Sequence, residues 1–107
     1  MAEKLCTLRK HGGGTELNIQ YDGYVLSKNN VAKTFTVDSN KSYVLFSCLL
    51  YTTNSDRVNV YSIENGTLSH IHQSEAQSYV NVSLNGTTLT CICSDTSYTE
   101  FVLVSVT

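Results

Sequence analysis

Apolar residues recur at every second position through most of this chain, the spacing that places them on one face of a β-strand. From Glu16 onward, Leu17, Ile19 and Tyr21 alternate with polar neighbours. The Asp22-Gly23 pair then predicts a turn, and Tyr24 to Ser27 resumes the alternation, which makes a first hairpin. Lys33 to Asp38 predicts a strand with Phe35 and Val37 on one side and Thr34 and Thr36 on the other. The Asp38-Ser39-Asn40-Lys41 cluster interrupts the chain before Ser42 to Tyr51. There Val44, Phe46, Cys48 and Leu50 stand opposite Tyr43, Leu45, Leu49 and Tyr51. A strand apolar on both sides is expected at the centre of a sheet, covered on both faces or met by a neighbouring subunit.

The back half carries the strongest local signals. Asn65-Gly66 and Asn85-Gly86 each lie between alternating runs, and Asn and Gly tolerate the positive φ of a two-residue type I′ turn, so two hairpins are predicted. In the first, Arg57 to Ile63 pairs with Thr67 to Gln73, with Val58 and Val60 inward, after a polar loop from Thr52 to Asp56. The second pairs Tyr79 to Leu84, with Val80, Val82 and Leu84 on one face, with Thr87 to Ser94, where Leu89, Cys91 and Cys93 share a face. A last strand, Glu100 to Val106, places Phe101 and Leu103 opposite Val102, Val104 and Val106. Ser74 with Gln77 resembles a capping box, but no helical apolar run follows, so Ser74 to Ser78 makes a single turn at most. About eight short strands with regular turn signals and no sustained 3.6-residue period predict an all-β fold, an antiparallel β-sandwich of jelly-roll type.

Length sets the domain count. The 107 residues suffice for one core and not for two. Residues 1–14 end in Gly12-Gly13-Gly14, which predicts a flexible Gly-rich arm ahead of a single β-sandwich domain over residues 15–107. Only 15% of residues are charged, and seven Tyr with no Trp and no Pro suit pleated, half-buried surfaces. The net charge is −2, and the few cations near the amino end, Lys4, Arg9 and Lys10, make no basic face, so nucleic acid is not an expected partner. No apolar core follows the first residues, so no signal peptide is predicted and synthesis in the cytoplasm is expected. The run Tyr43 to Tyr51 is too short to span a bilayer as a helix, and membrane insertion is not expected.

Candidate chemistry is sparse. Cys6, Cys48, Cys91 and Cys93 read as reduced thiols, and as core-packing groups rather than ligands. Cys91 or Cys93 facing a histidine across paired hairpins would be a nucleophile in principle, but a strand interior beside Leu89 and Ile92 disfavours a thiolate. No catalytic residue is assigned and no cofactor is expected. His70-Ile71-His72 places two imidazoles on one strand face with Glu75 nearby, a candidate metal set. This H-x-H with a following Glu is similar to the first motif of the cupins, themselves jelly-rolls. That resemblance implies a degenerate cupin-like metalloprotein, although no downstream histidine and no proline are present for the second motif. Tyr61 and Tyr79, expected on the outer faces of their strands, are candidates for a flat ligand contact such as a sugar face, which would make the chain a lectin-like carbohydrate-binding module.

The Gly-rich arm, the Ser, Thr and Asn-rich β-domain, and the run Tyr43-Val-Leu-Phe-Ser-Cys-Leu-Leu-Tyr51 followed by Arg57-Val-Asn-Val-Tyr-Ser-Ile63 resemble small β-sandwich modules of bacteriophage tails, fibres and head appendages. The resemblance spans residues 16–107. It implies a non-enzymatic structural or attachment module, located in a virion if phage-encoded and acting as a homo-oligomer, often a trimer. Its partners would be copies of itself and another virion protein, a cell-surface protein or a glycan.

Overall fold

An alternating strand gains stability only if its apolar face is covered, and in this chain two sheets cover each other. The computed structural model describes residues 4–9, 16–50, 58–72 and 79–106, with side chains from residue 19 onward. Among these residues the strands are β1 (Lys4–Arg9), β2 (Glu16–Ser27), β3 (Lys33–Thr36), β4 (Ser42–Leu49), β5 (Val58–Glu64), β6 (Thr67–His72), β7 (Val80–Asn85), β8 (Thr88–Cys93) and β9 (Thr99–Val106). A six-stranded sheet runs β1-β2-β9-β4-β5-β6 and a three-stranded sheet runs β3-β8-β7. Every pairing is antiparallel, and the architecture is the β-sandwich that the alternation predicts. Pairs β2–β9 and β3–β8 set the beginning of the chain against its end, whereas β4, β5 and β6 form a meander within one sheet.

The inner face of the larger sheet is built in rows. Phe101, Ser47 and Asn59 stand side by side, as do Leu103, Leu45 and Tyr61, and then Ser105, Tyr43 and Ile63. Leu89 and Cys91 of the smaller sheet, both fully buried, join this core, and Phe35, Val80, Val82 and Leu84 pack around it. The Tyr43 hydroxyl is kept inside by accepting the Asp38 amide at 2.8 Å.

Several local expectations are corrected by pairing between distant strands. Asp22-Gly23 does not reverse the chain. β2 continues through it, with Asp22 as the extra residue of a β-bulge and Gly23 at φ +135°, a value that side chains rarely allow. The pair instead turns the strand over, so that Tyr21 faces outward beside Val104 while Gly23 faces inward beside Leu103. The second Asn-Gly hairpin forms, but its closing pair is Asn85 and Thr88, which makes Gly86 (φ +61°) and Thr87 the central residues, with Gly first as in a type II′ turn. The first hairpin has Asn65 and Gly66 at φ +51° and +74°, as type I′ requires. In β5 the inward residues are Asn59, Tyr61 and Ile63, not Val58 and Val60. Lys4–Arg9, within the expected arm, runs as edge strand β1 beside Glu16–Gln20, where it satisfies backbone groups that β2 would otherwise leave unpaired. The triglycine lies outside the described residues, as do the loop at 52–56 and the turn at 74–78.

Phe101 is fully buried where the two sheets meet. Phe101→Ala is expected to cost about 3–5 kcal/mol, read as a lower midpoint in urea with an unchanged slope. A loss under about 1 kcal/mol would show that the sheets do not close on this ring.

Candidate functional site

An open concavity lies where β2 ends. Tyr24 and Leu26 point outward from the sheet, and after Ser27 the chain leaves it through Lys28-Asn29-Asn30. Asn29 and Asn30 take φ of +55° and +64°, which asparagine tolerates better than other side-chain-bearing residues. Their amides donate to the carbonyls of Asp95 and Cys93, each at 2.8 Å, and Val31 N donates to Lys28 O at 3.1 Å. Ser27, fully buried, donates its hydroxyl to Val31 O at 2.6 Å and accepts the Cys93 amide at 2.9 Å. One small hydroxyl therefore pins the end of β2, the following turn and β8 together, so the turn is held rigid before any ligand arrives.

The resulting open cleft has a volume of about 630 Å³, within the range of small-molecule sites, and its walls include Tyr24, Leu26, Lys28, Asn29, Val31, Lys33 and Tyr98. Tyr24 is 55% exposed and Tyr98 43%, which leaves both rings available to a ligand. The Lys28 ammonium sits 4.5 Å from the Tyr98 ring centroid, a cation–π contact that fixes a long side chain over an aromatic face. Two lysines and no carboxylate belong to this lining.

The residues singled out in the sequence do not converge on this cleft. Tyr61 is only 5% exposed and its ring is stacked on His70, with centroids 4.2 Å apart, so the outward placement expected for it is corrected. Tyr79 is exposed, at the outer rim of the smaller sheet, away from Tyr61's buried position. His70 and His72 do not share a face. A bulge in β6 inserts Ile71, so His70 stands beside the inward Tyr61 while His72 stands beside the outward Val60. His70 Nε2 donates to Asn59 Oδ1 at 3.2 Å, in the tautomer that carries its proton there. Glu75 lies outside the described residues, among which no group of three or more His, Cys, Asp and Glu is placed to hold a metal. Tyr61, Leu68, His70 and Val82 instead line a smaller cleft of about 280 Å³ at the mouth between the sheets.

Burial pushes the Cys91 thiol up to about 12, and burial followed by the neighbouring Cys91 pushes the Tyr61 hydroxyl up to about 12. Cys91 is thus a neutral packing group rather than a nucleophile. Cys93 accepts the Thr99 hydroxyl at 3.1 Å and its thiol lies 3.5 Å from Ser97 O, again inside the core.

Residue-by-residue reading passed over Lys28, Lys33 and Tyr98 because nothing local joins them. The one available signal was the Lys-Asn-Asn stretch after an alternating strand, a turn with a cation at its entrance.

A scan against protein-family models finds no match, and no curated protein matches the chain. Among solved structures, the fold is similar to part of tailspike protein gp49 from Acinetobacter baumannii bacteriophage Fri1, a capsular polysaccharide depolymerase. The TM-score is 0.53 at 17% identity, over 94% of this chain and 19% of that one. The likeness is one of fold, and the chain spans about a fifth of that tailspike's length.

Two measurements check the assignments around Tyr61. His70→Ala is expected to cost about 1–2 kcal/mol through the lost stack and hydrogen bond, and His72→Ala less than about 0.5 kcal/mol because its side chain is exposed; equal losses in thermal melts would refute the opposite-face placement. Since the folded chain holds the Cys91 and Tyr61 protons to about 12, against ordinary values of 9.0 and 10.0, the unfolded chain releases them first. Their contribution is therefore complete below pH 9 and declines as pH rises toward 12. Circular dichroism melts across that range are expected to show a falling midpoint, with a shallower fall in Cys91→Ala.

Proposed function

We propose that this chain is a non-enzymatic structural or attachment domain of a phage or prophage appendage, working in a virion as a homo-oligomer. The observation that carries this reading is the outer face of the six-stranded sheet. Val102, Phe46 and Val60 lie side by side there, with Val104 and Val44 in the next row and Val58 beside Cys48 in another. Phe46 is 40% exposed and Leu50 50% exposed, on a face that in an antiparallel sheet is ordinarily polar. The two-sided character of Ser42 to Tyr51 thus leaves Phe46 and Leu50 exposed on a face where Val44, Val60 and Val102 are half-buried and Val104 is buried. A second copy of the chain is the natural cover for the rows of Val44, Phe46, Val60 and Val102, with Glu100 beside Cys48 at their edge. The fold likeness to part of a tailspike supports an appendage role, and the burial of both candidate nucleophiles, Cys91 and Cys93, supports a non-enzymatic one. Residues 1–14 serve in this reading as the attachment segment.

A second reading, a lectin-like carbohydrate-binding module, is favoured by the cleft between Tyr24 and Tyr98 rather than by Tyr61 and Tyr79. The tailspike with the similar fold is named for a polysaccharide substrate, which suits this reading without requiring catalysis here.

Light scattering coupled to size exclusion at micromolar concentration tests the assembly. The wild type is expected at a small multiple of 11.8 kDa, and Phe46→Asp, which alters an exposed side chain, is expected to fall to 11.8 kDa with its circular dichroism unchanged. An 11.8 kDa wild type would overturn the oligomer reading.

A further inference from the structure

We propose that the cleft at the end of β2 binds an acidic sugar, with the ring face on tyrosine and the carboxylate between Lys28 and Lys33. The inference rests on the carbohydrate-binding reading and deepens it by naming the ligand's charge.

Three features of the cleft lead there. The rings of Tyr24 and Tyr98 are exposed whereas Tyr43 and Tyr61 are buried, and the C–H face of a pyranose matches such an amphipathic ring. Asn29 and the two lysines supply hydrogen-bond donors beside those rings, and the donors are charged. Lys28 is already held over Tyr98, so aromatic and cationic contacts come from one preorganised unit rather than from two side chains that must be ordered on binding.

Acidic residues stand near the cleft: Glu100 pairs with Leu26 on the same outer face, and Asp95 accepts the Asn29 amide through its backbone carbonyl, so the two lysines suit a ligand of modest charge. With a net charge of −2 on the whole chain, a densely charged strand such as a nucleic acid meets repulsion beyond the two cations. A saccharide with isolated carboxylates does not. Val31, 52% exposed, and Leu26 add an apolar wall that suits the non-polar edge of a sugar.

The rigidity of the turn fits the same use. Asn29 and Asn30 hold positive φ under two backbone hydrogen bonds, and Ser27 ties the turn to β8, so Lys28 and Lys33 flank a fixed opening. Tyr24 stands beside Val102, in the row that continues through Phe46 and Val60, so the cleft borders the face proposed for assembly.

Calorimetric titration with tri-galacturonic acid and with its fully methyl-esterified form tests the assignment, since esterification removes the charge and adds only a methyl group at each carboxyl. The acid is expected to bind at least tenfold more tightly than the ester. Lys28→Gln with Lys33→Gln should remove that preference, and Tyr98→Ala should weaken both forms; all three positions line an open cleft, and native spectra confirm the fold. Equal affinity for acid and ester overturns the acidic assignment while leaving carbohydrate binding in place. No binding of either form overturns both. Phenyl phosphate binding as tightly as the uronate would show a general anion trap and overturn the sugar assignment. Repeating the titration on Phe46→Asp keeps the result independent of assembly.

Discussion

Everything else in this molecule depends on the contact between the row Leu103, Leu45 and Tyr61 of the large sheet, with Phe101 beside it, and Leu89 and Cys91 of the small one. Without it neither sheet has a covered face, and a two- or three-stranded ribbon in water is at best marginally stable. The contact is also unequal, because six strands meet three. The larger sheet is therefore wider than its cover, and its outer face has no second layer among the described residues. The outward side chains of β4, β5 and β9 include Val44, Phe46, Val60 and Val102, of which Phe46 is the most exposed.

The polar groups admitted to the core serve attachment between layers. Ser27 is the clearest case, since its hydroxyl reaches both the turn after β2 and the backbone of β8. Thr99 and Cys93 repeat the arrangement one position away, with the threonine hydroxyl donating to sulfur. These bonds close the end of the sandwich at which the cleft opens, so the region most exposed to a ligand is anchored directly to the core. A binding loop with that support does not have to be ordered by its ligand.

The likeness to about a fifth of a tailspike's length is one of fold, so a reading of role rests on the surfaces of this chain itself. The two surfaces that stand out here differ in kind. One is flat, apolar and broad; the other is concave, aromatic and cationic. They suit, respectively, a second copy and a small polar ligand, and they lie on neighbouring regions of one sheet.

The sequence by itself determined what depends on neighbours along the chain: the all-β class, most of the strands, the Asn65-Gly66 turn, and the inward faces of β7 and β8, where apolar and polar positions separate without ambiguity. It did not determine matters of parity. In β5, Val58 and Val60 compete with Tyr61 and Ile63 as an apolar stripe, and only pairing with β4 chooses the side; the larger area of Tyr61 and Ile63, and Ser62 breaking the valine stripe, were the available hints. Asp22-Gly23 satisfies the chemistry of a turn and that of a bulge equally, and β9 alongside makes it a bulge. The bulge at Ile71 likewise separates His70 from His72, against an i and i+2 spacing that reads as one face. The cleft was invisible for the same reason in stronger form, since Lys28 and Tyr98 meet only because Ser27 pairs with Thr99 at the far end of the chain. A pleat has a period of two, so one inserted residue reverses every side chain beyond it, and only the hydrogen-bond register with a distant strand decides where that insertion falls.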